Sequence, residues 1–538
     1  MQRHPLITAS LIDHAERHHG STEIVSRKAD GTITRTDWAG IARRSRRVAG
    51  LLRDLGAVPG DRIATLAWNR AAHLELYYGV TAGGMVLHTV NPRLFPEQIR
   101  YIVAHGGAAI VFIDSDLLPL LASVVAEIPA VRAIVVLGAD ADDPSVPGAI
   151  AYDAAVDAAT PIDRWPDLDE DAASSLCYTS GTTGDPKGVL YSHRSTVLHA
   201  FAACAADSMA LSARDSVLLV TPLFHVNAWG LPFAAAMCGA KLVLPGAALD
   251  GASLHALMRD EGVTFSLGVP TVWLGFLDHL ARDGGGDPAH DLALQRVFMG
   301  GAPTPPVLID RFRDLLNVEV VQAWGMTETS PVATVCRPLA RHAHLDDTAM
   351  TALRATQGRA VYGVELRIED EAGIPLPHDG SASGLLKVRG HWVLDAYMGQ
   401  ERGAALDEAG WFDTGDVARI DGDGFLHLTD RAKDMIKSGG EWISSIDLEN
   451  AAAAHPCVAE AAVIGVPHPR WQERPILLLR LRPGATLTPD AMLGHLAERV
   501  ARWWLPDAVL FVDELPHTAT GKLLKTVLRA RYRDLLGG

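Results

Sequence analysis

The sequence predicts an α/β protein with a large N-terminal portion, a β-rich subdomain and a small α+β domain at the C-terminal end. Three observations carry this. From about residue 10 to residue 330, short apolar runs alternate with segments of helical spacing, the pattern of parallel sheets covered by helices. Around residue 360 the texture changes to short strands separated by turn residues such as Asp421-Gly422-Asp423-Gly424. Beyond Arg431 roughly a hundred residues mix helix and strand, enough for an independent small domain. At 538 residues the chain is too long for one small core, so more than one domain is expected.

In order, helices are expected over 10–19 and 37–55, the second through Trp38, Ile41, Val48, Leu51, Leu52 and Leu55 and stopped by Gly56 and Pro59-Gly60. Arg62–Ala67, Val86–Val90 and Ala109–Ile113 read as buried strands, with helices over Ala71–Val80 and Pro96–His105. The acidic, Ala- and Pro-rich stretch Gly138–Asp171 reads as a solvated surface excursion, after which Ser175–Tyr178 is a strand end and a helix begins near Arg194. Further strands are expected at Ser216–Thr221, Lys241–Leu244, Thr264–Gly268, Arg296–Met299 and Glu319–Gln322. The β-rich part is read from Val364–Ile368, Gly384–Arg389 and Phe425–Leu428. The last domain is read as helix Ile446–Ala454, strands Val458–Val466 and Ile476–Leu481, helix Pro489–Trp503 and a helix after Lys522.

A net charge of −16 argues against a general nucleic-acid binder, which needs a basic surface. The five cysteines (Cys177, Cys204, Cys238, Cys336, Cys457) form no metal-ligand spacing, so buried free thiols in a reducing compartment are expected. Residues 1–20 are too charged for a signal peptide, and no apolar run is long enough to span a bilayer, so the expected location is cytoplasmic.

Five segments carry chemistry. Thr179, Ser180, Gly181, Thr182, Thr183, Gly184, Asp185, Pro186, Lys187 and Gly188 follow the strand end at Tyr178. Glycines allow backbone N–H groups to approach a polyanion, the hydroxyls donate, and the lysine adds charge. A solvent-exposed linker has a similar composition, and the spacing is not that of the Walker loop. The second segment is Gln322, Ala323, Trp324, Gly325, Met326, Thr327, Glu328 and Thr329, where an indole can stack on a purine and Thr327 and Glu328 offer the hard oxygens Mg²⁺ prefers. Taken alone, the same residues suit a core tryptophan and a surface carboxylate. The third, Trp411 to Asp416, ends in a carboxylate able to accept ribose hydroxyls, or is a plain turn. The fourth runs from Asp430 through Arg431, Lys433, Lys437, Gly439 and Gly440 to Trp442 and Ser444, and the fifth is Pro516 to Lys525 with Lys522 on a Gly-bearing loop. Singly, these are a charged linker and a solvated lysine.

Together and in this order, the five segments resemble the adenylate-forming superfamily of acyl-CoA synthetases, luciferases and peptide-synthetase adenylation domains, over nearly the whole chain. The resemblance implies an α/β fold with a large N-terminal domain of stacked αβ layers plus the β-rich subdomain (1–432), a small mobile α+β C-terminal domain (433–538), and an active site between them. It implies ATP, Mg²⁺ and coenzyme A as co-reactants and a carboxylic acid as substrate. The acid attacks the α-phosphate of ATP to give acyl-AMP and pyrophosphate; the small domain turns, and the CoA thiol displaces AMP. Carried over by position, Thr179 to Lys187 would hold the phosphates, and Thr179 and Glu328 the metal. Gly301-Ala302-Pro303 and Gln322 to Trp324 would form the adenine slot, continued by Gly325, Met326 and Thr327. Asp416 and Arg431 would hold the ribose, Lys433 is the hinge position, and Lys437 joins the nucleotide set. Lys522 would reach the carboxylate and α-phosphate, and a cation delivered only in that state stabilises the transition state selectively. The catalytic set implied is Lys522, Glu328 and His225; the acyl and CoA pocket is His225, Val226, Trp229, Gly300, Gly439, Gly440 and Trp442.

The segments Phe224 to Pro232, Ile436 to Asn450 and Trp471 to Pro475 look like the bacterial medium- and long-chain fatty acyl-CoA synthetase branch, in which an indole at the Trp229 position gates an acyl tunnel. They look equally like enzymes for short thioether acids such as 3-methylmercaptopropionate, and both remain open. Members of the branch are often homodimers. Trp324 and Ala323 replace the usual Tyr and Gly of the adenine motif and narrow the slot. An amino-acid adenylating domain would show an aspartate near His225-Val226-Asn227 and be followed by a carrier domain, where this sequence ends at Gly538; a catalytically dead nucleotide-binding regulator would have lost Lys522 or Glu328.

Overall fold

The run Ala108–Asp114 is buried at all of its positions, as a central strand covered on both faces must be. It belongs to a seven-stranded sheet ordered Ile150–Ala151, Ala133–Leu137, Ala108–Asp114, Arg62–Leu66, Val86–Thr89, Ala173–Tyr178, Gly188–Ser192. Its neighbours run parallel except the last pair, a hairpin. The structure is a computed structural model that describes residues 1–138, 146–179, 186–283, 291–439, 441–517 and 523–536.

A second sheet, of nine strands, holds the core Ser216–Leu219, Phe265–Gly268, Arg296–Met299 and Glu319–Gly325 as adjacent parallel strands. Helices Gly251–Asp260, Pro270–Asp283 and Pro306–Leu316 cover one face, burying Trp273, Phe276 and Phe312 in one cluster. The C-terminal ends of neighbouring parallel strands are where open α/β sheets bind ligands. Gly300 follows one such end and Thr327 another.

The described residues fall into two compact units, the first within Met1–Gly181, Pro186–Glu365 and Arg389–Phe412, the second within Leu366–Val388 and Asp413–Gly538. The second carries a four-stranded sheet of Val364–Glu369, Gly384–Gly390, Phe412–Ile420 and Leu426–Arg431. It also carries a five-stranded sheet dominated by the antiparallel pair Val458–His468 and Gln472–Leu481.

Most expected elements occur within a residue or two of their sequence-based bounds, and Pro96–His105, Lys241–Leu244 and Arg296–Met299 match fully. Four readings need correction, and one hairpin has none. The nine residues Phe412–Ile420, read as a turn around Thr414-Gly415-Asp416, are a strand of alternating burial. The expected helix to Trp503 ends at Ala497, and a short 3₁₀ turn follows at Arg502–Trp504. The excursion after Gly138 contains a helix, Tyr152–Ala158, anchored by the buried Tyr152, whose hydroxyl donates to Glu75 at 2.6 Å. The hairpin Glu23–Arg27 and Ile33–Asp37 carries too few apolar residues on its second strand to signal itself. The cysteines are free as expected, but only Cys177 and Cys336 are buried.

Candidate active site

The glycine-and-hydroxyl loop is closed at its base. Tyr178 pairs with Gly188, the Thr179 N–H donates to the Lys187 carbonyl at 3.0 Å, and the Lys187 N–H donates to Thr179 Oγ1 at 3.1 Å. The chain therefore runs strand, loop, strand; the helix starts only at His193, capped by Ser192 Oγ. Ser180, Gly181, Thr182, Thr183 and Gly184 lie outside the described residues.

Two of the sequence segments converge on this base. The Lys187 ammonium sits 4.7 Å from the centre of the Tyr397 ring, a cation–π distance. The Tyr397 hydroxyl in turn donates to Glu328 Oε1 at 2.7 Å. Burial and the Glu328 charge push the Tyr397 pKa well up, which keeps the phenol protonated and donating. Glu328 is fixed from behind, since its carbonyl accepts from Leu394 N at 2.9 Å, and the Thr327 carbonyl accepts from Tyr191 Oη at 2.7 Å. Thr327 and Glu328 are both buried, on a 3₁₀ turn directly beyond the strand Glu319–Gly325. Gly325 owes its place to close approach: an added Cβ would lie 1.9 Å from the Pro331 carbonyl oxygen. The Met326 N–H donates to Thr329 Oγ1 at 2.9 Å, which locks the turn.

Beside this lies the segment expected to hold adenine. Gln322, Ala323 and Trp324 are buried within the strand rather than beyond its end. Gln322 Oε1 accepts from Thr304 Oγ1, close after Gly301, Ala302 and Pro303. A Cβ at Gly300 would lie 3.1 Å from the Ala323 carbonyl oxygen and 3.3 Å from the Trp229 ring, so the Trp229 indole packs on Gly300 and Gly301. Gly301 adopts φ 78° there. Trp229 is 6% exposed and meets Phe298 edge-on at 6.3 Å.

The segment expected to line the acid has an unexpected backbone. After His225, half-buried and extended, Val226, Asn227, Ala228 and Trp229 all have left-handed φ, at 47°, 50°, 47° and 57°. For Val226, Ala228 and Trp229 this conformation costs roughly 1–2 kcal/mol each, and less for Asn227. Gly230 ends the turn at φ 78°, where a Cβ would strike the His199 ring at 2.5 Å.

In the second unit Asp416 and Arg431 face each other across the strand pair, with Arg431 Nε 2.8 Å from Asp416 Oδ1. Arg431 Nη1 also donates to the Thr414 carbonyl at 3.1 Å. Lys433 is exposed, and its ammonium pKa is lowered by partial burial and by Arg431 and Arg529, against Asp434, which raises it. Lys437 lies on the strand Ile436–Ser438 opposite Trp442. Gly439 turns at φ 64° with the Trp471 ring 2.8 Å from where its Cβ would be. Gly440 and Lys522 lie outside the described residues.

Residues 11–398 match the pattern that defines AMP-binding enzymes, and residues 447–522 match that of the AMP-binding enzyme C-terminal domain. The chain belongs to the AMP-binding enzyme family. It is 50% identical over 538 residues to a medium-chain-fatty-acid–CoA ligase of Ectopseudomonas oleovorans, covering 100% of this chain and 98% of that one. It is also 50% identical over 540 residues to a 3-methylmercaptopropionyl-CoA ligase of Ruegeria lacuscaerulensis, covering 100% and 99%. Among solved structures, ATP-bound MatB from Rhodopseudomonas palustris is 26% identical, with a TM-score of 0.83 over 98% of this chain and 100% of that one. The mixed α/β fold is that of these AMP-binding enzymes.

Within this AMP-binding enzyme, Tyr397 and Tyr191 are the residues that sequence reasoning missed. Tyr397 lies in the turn-rich stretch His391–Gln400, which has neither helical nor strand periodicity, and only folding brings it against Lys187 and Glu328. Tyr191 sits four residues after Lys187 in a strand too short to register by alternation.

Proposed function

We propose that this AMP-binding enzyme is an ATP-dependent acyl-CoA ligase of the cytoplasm. A carboxylate oxygen attacks the α-phosphate of ATP, the bond to pyrophosphate breaks, and acyl-AMP forms; the CoA thiol then attacks the acyl carbon, and AMP leaves. The observation that carries this reading is the chain of contacts from Lys187 through Tyr397 to Glu328 at the base of the phosphate loop. It supports a cation and a charged carboxylate side by side where a nucleotide's phosphates and a divalent ion would be held together. Thr179 and Glu328 supply hard oxygens that fit Mg²⁺, which contributes charge neutralisation on the phosphates. Gly301, Ala302, Pro303 and Gln322 to Thr327 take the adenine, while Asp416 and Arg431 take the ribose, with Lys437 in the nucleotide set. His225, Val226, Trp229 and Gly300 serve the acid, and Gly439, Gly440 and Trp442 serve the thiol. Lys522 is the cation of the first half-reaction. The functional boundary lies at 432/433 with Lys433 as pivot, within the second compact unit.

The acid is a medium- or long-chain fatty acid. The 50% identity to both CoA ligases keeps a short thioether acid, 3-methylmercaptopropionate, as the second reading. ATP–pyrophosphate exchange across a panel of fatty, thioether and amino acids, followed by CoA-dependent thioester formation, tests this. Exchange with a fatty acid and thioester product are expected; Lys522→Ala abolishes exchange yet still turns supplied acyl-AMP into thioester. Exchange driven only by amino acids, or normal exchange in Lys522→Ala, would refute it.

A further inference from the structure

The turn Val226–Trp229 holds four consecutive non-glycine residues in the left-handed region, and such a turn persists only where its surroundings over-determine it. Those surroundings are specific. The Tyr77 hydroxyl donates to the Leu223 carbonyl and lies 3.3 Å from the Asn227 side-chain oxygen. The Cys177 thiol lies 3.6 Å from that same oxygen and 3.5 Å from Thr89 Oγ1. Asn69 braces the approach to the turn, donating to the carbonyls of Leu219 and Thr221 and accepting from Leu223 N at 2.7 Å. Tyr77, Asn227 and Cys177 are all buried, and none of them belongs to the nucleotide or acid contacts assigned above. Burial pushes the Cys177 thiol pKa up to about 11, so it stays a neutral, close-packed partner.

The consequence falls on Trp229, the last residue of the turn. Its indole rests on Gly300 and Gly301 and on the edge of Phe298, so a small rotation of the turn moves the wall between the acid side and the adenine side. A right-handed or extended path through four residues would carry the indole elsewhere. We propose that Tyr77, Cys177 and Asn227 are positioning residues that hold this strained turn, and that the strain fixes Trp229 as the stop that sets acid length. The proposal rests on the ligase reading for its substrate, and on geometry alone for its strain.

Two variants test it. Ala228→Gly makes the left-handed position easy for the backbone and leaves the pocket lining intact. Tyr77→Phe removes the hydroxyl that ties Leu223 and Asn227. For each, kcat and KM in pyrophosphate exchange are measured along a homologous series of straight-chain acids, together with Tm. In the unmodified protein each methylene up to the preferred length should lower KM by about fourfold, the value of one buried CH₂, and the next one should raise it by a similar ratio. Both variants should flatten that ratio toward one, through KM, with kcat for the preferred acid changed less than about twofold. Ala228→Gly should hold or raise Tm, whereas glycine in a right-handed helix lowers it. An unchanged length profile in both variants, or kcat and KM altered alike for every acid, would overturn the positioning role. A lowered Tm in Ala228→Gly would overturn the strain. Absence of exchange with any acid in the unmodified protein would sink the ligase reading and the selectivity role with it, while the Tm comparison would still decide the strain.

Discussion

Two carboxylates, one in each compact unit, are held by opposite kinds of partner. Glu328 in the first unit accepts from the neutral Tyr397 phenol, while Asp416 in the second is paired to the Arg431 guanidinium. A phenol orients a carboxylate without cancelling its charge, which suits the cation-binding role proposed for Glu328. A guanidinium neutralises its partner and leaves little net field, which suits the uncharged hydroxyls proposed for Asp416. The difference teaches that the partner of an acid, as much as the acid, decides what it can bind.

The largest expected effect follows directly. Glu328→Gln keeps the oxygen that accepts from Tyr397 and removes only the charge, so pyrophosphate exchange should fall by about 10²–10³-fold, the usual scale for one electrostatic contact to a transferring group. Tyr397→Phe keeps the charge and loses only its orientation, so the fall should be about tenfold, with a raised Mg²⁺ requirement. If the two variants lose equal activity, charge is not what Glu328 contributes.

Next in size is the second carboxylate. Arg431 is 41% exposed, so its pair with Asp416 adds little to stability; its value is in geometry. Asp416→Asn and Arg431→Ala should each raise the KM for ATP by about tenfold and change kcat less. The double variant should be no worse than either single one, because the two act as a unit. Additive losses would mean that the cross-strand pair is incidental.

This contrast was only half legible in the sequence. Glu328, Asp416 and Arg431 stood out because each sits in a short segment whose order along the chain is informative. The strands that feed Gly300 and Thr327 were legible too, since buried parallel strands are continuous apolar runs such as Val320-Val321. Tyr397 was not legible, because a lone tyrosine among turn residues has no pattern and acquires its role only when distant chain returns to Lys187. The strand holding Asp416 was missed for a related reason: Asp413-Thr414-Gly415-Asp416 has turn composition, and only its cross-strand partners make it extended. The left-handed path of Val226–Trp229 was hidden most deeply, since only Asn227 adopts it readily and the contacts that hold it come from Tyr77 and Cys177.

The smallest effect on activity, and the one that separates the units most cleanly, is their response to acid. Four buried histidines of the first unit are held neutral by desolvation: His73, His193 and His199 with pKa lowered to about 4, and His88 to about 3. Each titrates near 6.5 when unfolded, so below that pH the unfolded state binds protons that the folded state refuses. The stability they support is therefore full above 6.5 and is lost as pH falls toward 4, by up to about 1.4 kcal/mol per histidine per pH unit. Asp114, raised to about 6 by burial, and Glu75, raised chiefly by desolvation, oppose this as two acids against four histidines. In the second unit the buried acids Glu449, Asp430 and Asp447 have raised pKa values, again chiefly from desolvation, so these groups take up protons first in the folded state and counter the loss from His455, whose pKa is lowered. Hydrogen exchange at pH 7 and pH 5, corrected for intrinsic rates, should show protection falling in the strands Arg62–Leu66 and Val86–Thr89 while Val458–His468 keeps its own. Earlier opening of Val458–His468 would reverse the ranking and show that buried histidines do not govern the acid response of this fold.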